Sequence, residues 1–301
     1  MDEIRDVIIV GGSFAGLSAA MQLVRARRSV LLIDAVRPRN RFAQASHGFL
    51  GQDGVAPAEI RRRALEQLGR YPTFELLEET VSAVDKRECG FILGLDSGRA
   101  VAAKRVILAV GVTDTLPEVE GLAALWGRSV FHCPYCHGYE IGGGAIGILA
   151  SMSLAHHQAA MLPDWGEVTL FTEPGVTFSD DERWMMEGRG VAIERSRLVR
   201  LLADGEHLKA GELADGRQVP LKALFVQTKV KPASPLAEML GAEMVVGPQG
   251  PYVKVDDWGA TSIPGLFAAG DAASPAHNAT FASAAGVKAG VMAHRSLMMG
   301  D

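Results

Sequence analysis

The stretch Val7-Ile8-Ile9-Val10-Gly11-Gly12-Ser13-Phe14-Ala15-Gly16 decides the fold of this 301-residue chain. The unbroken apolar run Val7 to Val10 reads as a short strand buried on both faces. Glycines follow at once, and from Leu17 to Arg25 the pattern becomes that of a helix rich in Ala and Leu. Strand, Gly-rich turn and helix in this order form a unit that binds a pyrophosphate. Gly11 permits the tight turn and Gly16 lets helix and strand pack closely. The helix start, with Gly12, Phe14 and Ala15 around it, supplies N–H groups and the positive end of its dipole. Ser13 stands where the pattern has its middle glycine, and is small enough for close backbone approach. The next strand, Ser29 to Asp34, ends on an acid, where a carboxylate accepts hydrogen bonds from an adenosine ribose. A Gly-rich turn with no ligand is the competing reading, and the placement of Asp34 weighs against it.

The same style recurs along the chain. Val106 to Gly111 closes a first block. A second block begins after Pro117, with strands expected at Ala145 to Leu149, Val168 to Phe171 and Leu224 to Gln227. Gly265-Leu266-Phe267-Ala268-Ala269-Gly270-Asp271 then returns to the first style, ahead of a small-residue helix from about Ala279 to Leu297. Strands alternating with helices predict an α/β fold with parallel sheets. The expected architecture is two Rossmann-like domains, the second inserted into the first. Residues 1–114 and 241–301 would form one, and residues 115–240 the other. No short-period repeat or low-complexity tract interrupts this reading.

Composition narrows the class. A net charge of −5 leaves no basic footprint for nucleic acid or an acidic membrane surface. The start, Met1 to Asp6, is acidic and runs straight into the first strand, so no signal peptide is expected there. No apolar stretch is long enough to span a bilayer. Of three cysteines two form a CxxC, which excludes a secreted disulfide framework and points to a reducing cytoplasm. Cys89 has no sequence neighbour to pair with and reads as structural.

Cys133-Pro134-Tyr135-Cys136 has three readings. A zinc knuckle needs four ligands, and only His132 and His137 adjoin the pair. A pair of inert buried thiols is the second. A redox dithiol is the third, and its coupling to a nucleotide loop favours it, because a two-residue spacer lets two sulfurs close a small ring. Pro134 suits a first helical position, so the pair would cap a helix whose dipole stabilises thiolate. His137 is then a candidate acid/base, its ordinary pKa being near neutrality, against the plainer reading of a core or surface histidine. Gly270-Asp271 is a turn with an acid placed to accept from a flavin ribityl hydroxyl; alone it would be only a helix cap. His277-Asn278 either faces the same site or is an ordinary loop pair. His156-His157 reads as structural, and Trp184-Met185-Met186 as packing. Arg61-Arg62-Arg63 reads as a solvated helix face, with a phosphate contact as the other possibility.

Together these residues resemble the thioredoxin reductase-like FAD-dependent pyridine nucleotide-disulphide oxidoreductases. The resemblance covers nearly the whole chain: the Gly11–Gly16 loop, the Ala109-Val110-Gly111 turn, the CxxC and Gly270-Asp271 follow in that family's order. It implies FAD held by Gly11, Gly12, Ser13, Phe14, Ala15, Gly16, Asp34, Ala109, Gly111, Gly270 and Asp271, no metal, and a homodimer. It also implies Cys136 beside the flavin and Cys133 exchanging with substrate, with His137 and His277 as further catalytic candidates. Two departures refine it. Bacterial thioredoxin reductases usually carry an acid after the second cysteine, whereas this chain has His137. The run Cys133 to Glu140, with His277-Asn278, looks more like the dithiol oxidases of gliotoxin and holomycin type. After the Ala145 strand, Gly147-Ile148-Leu149-Ala150-Ser151-Met152-Ser153 lacks the glycines a second pyrophosphate needs, and Leu149, Ala150 and Met152 would fill some of its space. Glu173 stands where a 2′-phosphate needs a cation. NAD(P)H is therefore expected to be a poor donor. The resulting expectation is a dithiol oxidase that forms a disulfide in a small molecule with oxygen as acceptor. A disulfide reductase acting on a thioredoxin-like protein is the alternative, and a flavin-binding redox sensor a third reading.

Overall fold

The computed structural model describes residues 4–152 and 154–300; the acidic residues at the extreme start, Met1 to Glu3, and Ser153 of the second loop lie outside the described residues. Two compact units emerge. The chain up to Arg41, Ala56–Thr113 and the chain from Val230 onward make the first; Phe42–Val55 and Asp114–Lys229 make the second.

The first leg builds β1 (Arg5–Val10), α1 (Phe14–Arg25), β2 (Val30–Ile33), α2 (Pro57–Leu68) and β3 (Phe74–Leu77). The hairpin β4 (Val81–Arg87) and β5 (Gly90–Leu95) follows, then the long β6 (Ala100–Leu108). Cys89, read as structural, is instead exposed in the β4–β5 turn. The chain leaves the first unit within β7 (Val112–Thr115).

The second unit contains α3 (Leu122–Leu125), β8 (Val130–Phe131), α4 (Pro134–Ile141), β9 (Ala145–Ala150) and α5 (Ala155–Met161). After these come β10 (Glu167–Thr172), α6 (Asp180–Gly188) and β11 (Ala192–Glu194). The meander β12 (Leu198–Asp204), β13 (His207–Leu213) and β14 (Gln218–Pro220) leads into β15 (Ala223–Val226). Its main sheet runs β11-β10-β9-β15-β8, all parallel. Leu149 on β9 packs with Phe171 and Leu224 on one face, while Ile148 and Ala150 pack with Phe225 and Ala155 on the other. Ser179 caps α6 in a reciprocal box with Glu182, which explains a sharp helix start there. On that helix Met186 is buried and Trp184 is exposed, so the packing expected of the Trp184-Met185-Met186 run is not shared by Trp184.

The chain re-enters the first unit within β16 (Lys229–Pro232), ahead of the residue-241 boundary expected from sequence. It adds α7 (Leu236–Met239), β17 (Met244–Val246), β18 (Pro251–Val253), β19 (Leu266–Ala268) and α8 (Ala279–Met299). The first unit's sheet has parallel order β3-β2-β1-β6, and β6 also pairs with β19 in parallel and with β5 antiparallel. Because side chains alternate across a strand, Ile8 and Val10 enter one core, and Val7 and Ile9 enter the other beneath α1 and α8. Two-sided burial is why β1 is unbroken in apolar residues from Val7 to Val10; each such side chain contributes roughly 1.5–3 kcal/mol. The small-residue composition of α8 also has a cause. A Cβ at Gly286 would lie 2.0 Å from the Ala15 carbonyl oxygen, and one at Gly290 2.8 Å from that of Ala19, so α8 meets α1 backbone to backbone. Among the described residues, no helix is long and apolar enough to cross a membrane.

Candidate functional site

Strand register assembles a first candidate site, within the first unit. Val10 pairs with Ile33 on one side and Leu108 on the other, and Leu108 pairs with Ala268. Gly11, Asp34, Ala109 and the Ala269-Gly270-Asp271 turn therefore leave the sheet together at the carboxyl ends of its parallel strands, where open α/β sheets bind ligands.

The glycines there are demanded by backbone contact. Gly11 has φ +107°, and a Cβ on it would lie 2.2 Å from the Ala109 carbonyl oxygen. A Cβ on Gly16 would lie 1.8 Å from the Gly11 carbonyl oxygen, and one on Gly12 2.5 Å from Asp34 Oδ2. Ser13 takes the N-cap of α1 in extended conformation, but its hydroxyl does not cap the helix and no acid occupies the first turn. This is a helix start suited to an anionic group, and it fits the pyrophosphate of a dinucleotide.

Asp34 is buried, and its Oδ2 accepts from Arg61 Nη2 at 2.7 Å and Nε at 3.2 Å. The expectation of a solvated face at Arg61-Arg62-Arg63 is thus corrected for Arg61. Helical spacing turns that one inward from α2, whereas Arg62 and Arg63 pair with Glu59 on the exposed side.

Gly270, at φ +75°, opens a single 3-10 turn, Gly270–Ala273, that carries Asp271. The long helix does not start there. It begins at Ala279, and Asn278 is its cap, with Oδ1 accepting from the Thr280 N–H at 2.8 Å. Arg39 Nη1 reaches Asp271 Oδ2 at 3.4 Å and His277 Nδ1 at 2.9 Å. A guanidinium only donates, so Nδ1 accepts and His277 is assigned as the neutral tautomer protonated on Nε2. Asp271 and His277 also line a small cleft with Gln249, Tyr252, Ser274 and Pro275.

A second candidate site lies in the second unit, where β8 ends at Phe131 and the chain turns into α4. Cys133 is the N-cap and Pro134 the first helical residue, as the sequence implied. Cys133 and Cys136 are joined in a disulfide, with Cα atoms 5.3 Å apart. Among the described residues, no cluster of three or more His, Cys, Asp or Glu is placed to hold a metal ion. The Gln158 side chain donates to the His132 carbonyl at 2.7 Å, tying the segment before the disulfide to α5. Gly138 faces the Trp165 indole; a Cβ there would fall 2.9 Å from the ring.

His137 stacks on Phe131, with ring centres 4.2 Å apart and planes inclined by 18°. Burial first, and then the charge of His47, lower its pKa to about 4. The near-neutral value expected from sequence is corrected accordingly: at neutral pH His137 is an unprotonated ring and a weaker base than an ordinary histidine. Beside it, His47 Nδ1 lies 3.3 Å from Glu140 Oε1 and 3.7 Å from Asp53 Oδ1.

The loop after β9 differs from the first. Leu149 and Ala150 are strand residues with buried side chains, so they do not fill the loop as expected. Ser151 Oγ donates to the Gln227 carbonyl at 2.6 Å, and α5 has seven residues against twelve in α1. Glu173 follows β10, and its N–H donates to the Ala150 carbonyl at 3.2 Å.

Arg39 and His47 were not singled out by sequence, and Arg61 and Glu140 were named only as members of longer runs. Arg61 carried a faint signal in its arginine run. Arg39 meets a partner 238 positions away, and no local pattern announces such a contact.

The profile of the pyridine nucleotide-disulphide oxidoreductase family matches residues 5–289. The thioredoxin reductase tcpT of Claviceps purpurea (strain 20.1) is 33% identical over 308 residues, covering 97% of this chain and 94% of the relative. The crystal structure of an oxidoreductase from Agrobacterium tumefaciens matches with a TM-score of 0.95 at 46% identity, covering 99% of this chain and 100% of that one. The crystal structure of HlmI matches with a TM-score of 0.91 at 31% identity, covering 99% and 94%.

Proposed function

Because the chain belongs to the pyridine nucleotide-disulphide oxidoreductase family, and is an FAD oxidoreductase acting on disulfides, we propose that it oxidises small-molecule dithiols to disulfides with oxygen as the final acceptor. The observation that carries this reading is His137, a half-buried imidazole, unprotonated at neutral pH, directly after Cys136. Oxidising a dithiol releases two protons, and a site for it needs a proton acceptor near the disulfide.

In this reading a substrate thiol gives its proton to His137, and the thiolate attacks Cys133 Sγ. The Cys133–Cys136 bond breaks and Cys136 leaves as thiolate, which the α4 dipole stabilises. The second substrate thiolate then attacks the substrate sulfur of the mixed disulfide, forming the product disulfide and releasing Cys133. FAD, when bound, would supply a two-electron acceptor for the reduced Cys133/Cys136 pair and a route for those electrons to oxygen. We assign its binding to Gly11, Gly12, Ser13, Phe14, Ala15, Gly16, Asp34, Ala109, Gly111, Gly270 and Asp271. His277, held by Arg39, is our second catalytic candidate. We further propose a homodimer working in the cytoplasm, the latter resting on the sparing use of cysteine.

The name of the Claviceps relative favours a second reading, a reductase that takes electrons from NAD(P)H and delivers them to a thioredoxin-like protein. Oxygen uptake distinguishes the two. With dithiothreitol as the dithiol, the first predicts one oxygen consumed per dithiothreitol oxidised, and loss of uptake in Cys133→Ser and Cys136→Ser. Absence of dithiol-dependent uptake, with NADPH-driven reduction of thioredoxin, establishes the second.

A further inference from the structure

Asp34 follows β2 and Glu78 follows β3, two strands whose last residues, Ile33 and Leu77, pair in parallel. The Asp34 N–H donates to the Leu77 carbonyl at 3.0 Å, which fixes the backbone of the acid at the strand end. Gly12 closes the other side: a Cβ there would lie 2.5 Å from Asp34 Oδ2 and 2.7 Å from its Cγ. The carboxylate is thus packed against the backbone of the glycine loop. Arg61, reaching in from α2, sends two donors to one oxygen. Its Nη2 lies 2.7 Å and its Nε 3.2 Å from Asp34 Oδ2, and the same Nη2 reaches Glu78 Oε1 at 3.3 Å. A carboxylate oxygen has about two acceptor directions, so this fork fills those of Oδ2. Among the described residues, nothing donates to Oδ1, although Asp34 is only 8% exposed. Buried polar atoms are ordinarily hydrogen-bonded, and Oδ1 is the one left to be satisfied by a ligand.

We infer that Arg61 is a positioning residue for the dinucleotide: by holding Oδ2 in a two-donor fork beside Gly12, it presents Oδ1 of Asp34 as the acceptor that reads the adenosine ribose. The inference rests on the FAD assignment made above, with Asp34 as its ribose acid. The last torsion of an aspartate is intrinsically broad, so packing alone does not set how the two oxygens face. Two N–H groups from a planar guanidinium do set it, and Glu78 steadies that guanidinium from the next strand. Arg61 does not touch the sugar in this scheme; its effect passes through the carboxylate. Orientation and charge then predict opposite results. Loss of the cation alone leaves the carboxylate's charge uncompensated and strengthens its pull on a hydroxyl. Loss of the fork lets the carboxylate turn and weakens that pull.

The test equilibrates the purified holoenzyme with an equimolar excess of FAD and an FAD analogue built on 2′-deoxyadenosine, or in a second series 3′-deoxyadenosine. The flavins retained by the protein are then resolved by chromatography. The two ligands differ by one hydroxyl, so the bound ratio reads that hydroxyl alone and needs no turnover. Wild type is expected to retain FAD over at least one analogue by roughly tenfold or more, as for a hydrogen bond to a charged group. Arg61→Met is expected to bind flavin with that preference reduced below about threefold. A preference kept or raised in Arg61→Met overturns the inference and leaves Arg61 a structural or charge-balancing residue. Should Arg61→Met hold no flavin, Arg61→Lys decides, since it keeps the cation without the fork. A preference about threefold or more below wild type in Arg61→Lys then supports the inference, and an unchanged one overturns it. If wild type discriminates against neither analogue, the ribose reading of Asp34 itself fails; if wild type discriminates and the Arg61 variants do so equally, only the role of Arg61 falls.

Discussion

His137 makes folding stability depend on pH in a window the structure defines. Its pKa is about 4 in the folded chain against an ordinary 6.5. The unfolded state therefore binds the proton first as pH falls. This contribution to stability is fully present above pH 6.5 and is lost as pH falls toward 4. Full protonation opposes folding by about 3.4 kcal/mol, and the loss between pH 8 and pH 4.5 is about 2.5 kcal/mol. His137→Phe keeps a ring against Phe131 but has nothing to titrate. Urea unfolding followed by tryptophan fluorescence reads the right region, since Trp126, Trp165 and Trp184 all lie in the second unit. The expected result is that wild type loses about 2–3 kcal/mol more than His137→Phe on going from pH 8 to pH 4.5. Parallel losses in the two proteins refute the burial argument and the neutral proton acceptor with it.

Further outcomes follow from the same geometry. Gly16→Val drives a side chain into the Gly11 carbonyl and should yield protein without FAD, seen as loss of the flavin absorbance; a yellow Gly16→Val protein of normal flavin content counts against the loop assignment. Arg61→Met leaves the buried Asp34 carboxylate without its cation and should destabilise the first unit by about 1–3 kcal/mol, measured by thermal unfolding. In Cys136→Ser the free Cys133 thiolate should attack an added linear disulfide such as hydroxyethyl disulfide, release one half as thiol and hold the other as a mixed disulfide visible by intact mass, whereas Cys133→Ser should hold none; the reverse pattern exchanges the two roles.

The parts legible in the sequence were those where one residue type answers a local demand. Gly11 and Gly16 could be read because only glycine tolerates a carbonyl oxygen at the place of its Cβ. Pro134 could be read because a first helical position needs no N–H donor. Asp34 was found at its strand end, but its partner Arg61 was not, because an inward turn of one arginine among three depends on how α2 packs. The titration of His137 was misjudged for a related reason. Its shift comes first from burial and then from His47, ninety positions earlier, and neither is announced by local spacing. The start of the last helix near Ala279 was legible from its small-residue pattern, and the Asn278 side chain caps it. The loop after β9 lacks glycine, but Leu149 and Ala150 face the cores: Leu149 already lay in the expected strand, and β9 runs one residue further, through Ala150.

The central claim is that dithiols, and not a pyridine nucleotide, deliver electrons to this enzyme. Anaerobic stopped-flow mixing of the FAD-loaded protein with dithiothreitol in one run and NADPH in another tests it most directly, with flavin absorbance as the readout. The predicted result is rapid bleaching by dithiothreitol that disappears in Cys133→Ser, and negligible bleaching by micromolar NADPH, for which two missing phosphate contacts of about 1.5–3 kcal/mol each mean at least a hundredfold weaker binding. Fast bleaching by micromolar NADPH, with none by dithiothreitol, would contradict the account and make the protein a reductase.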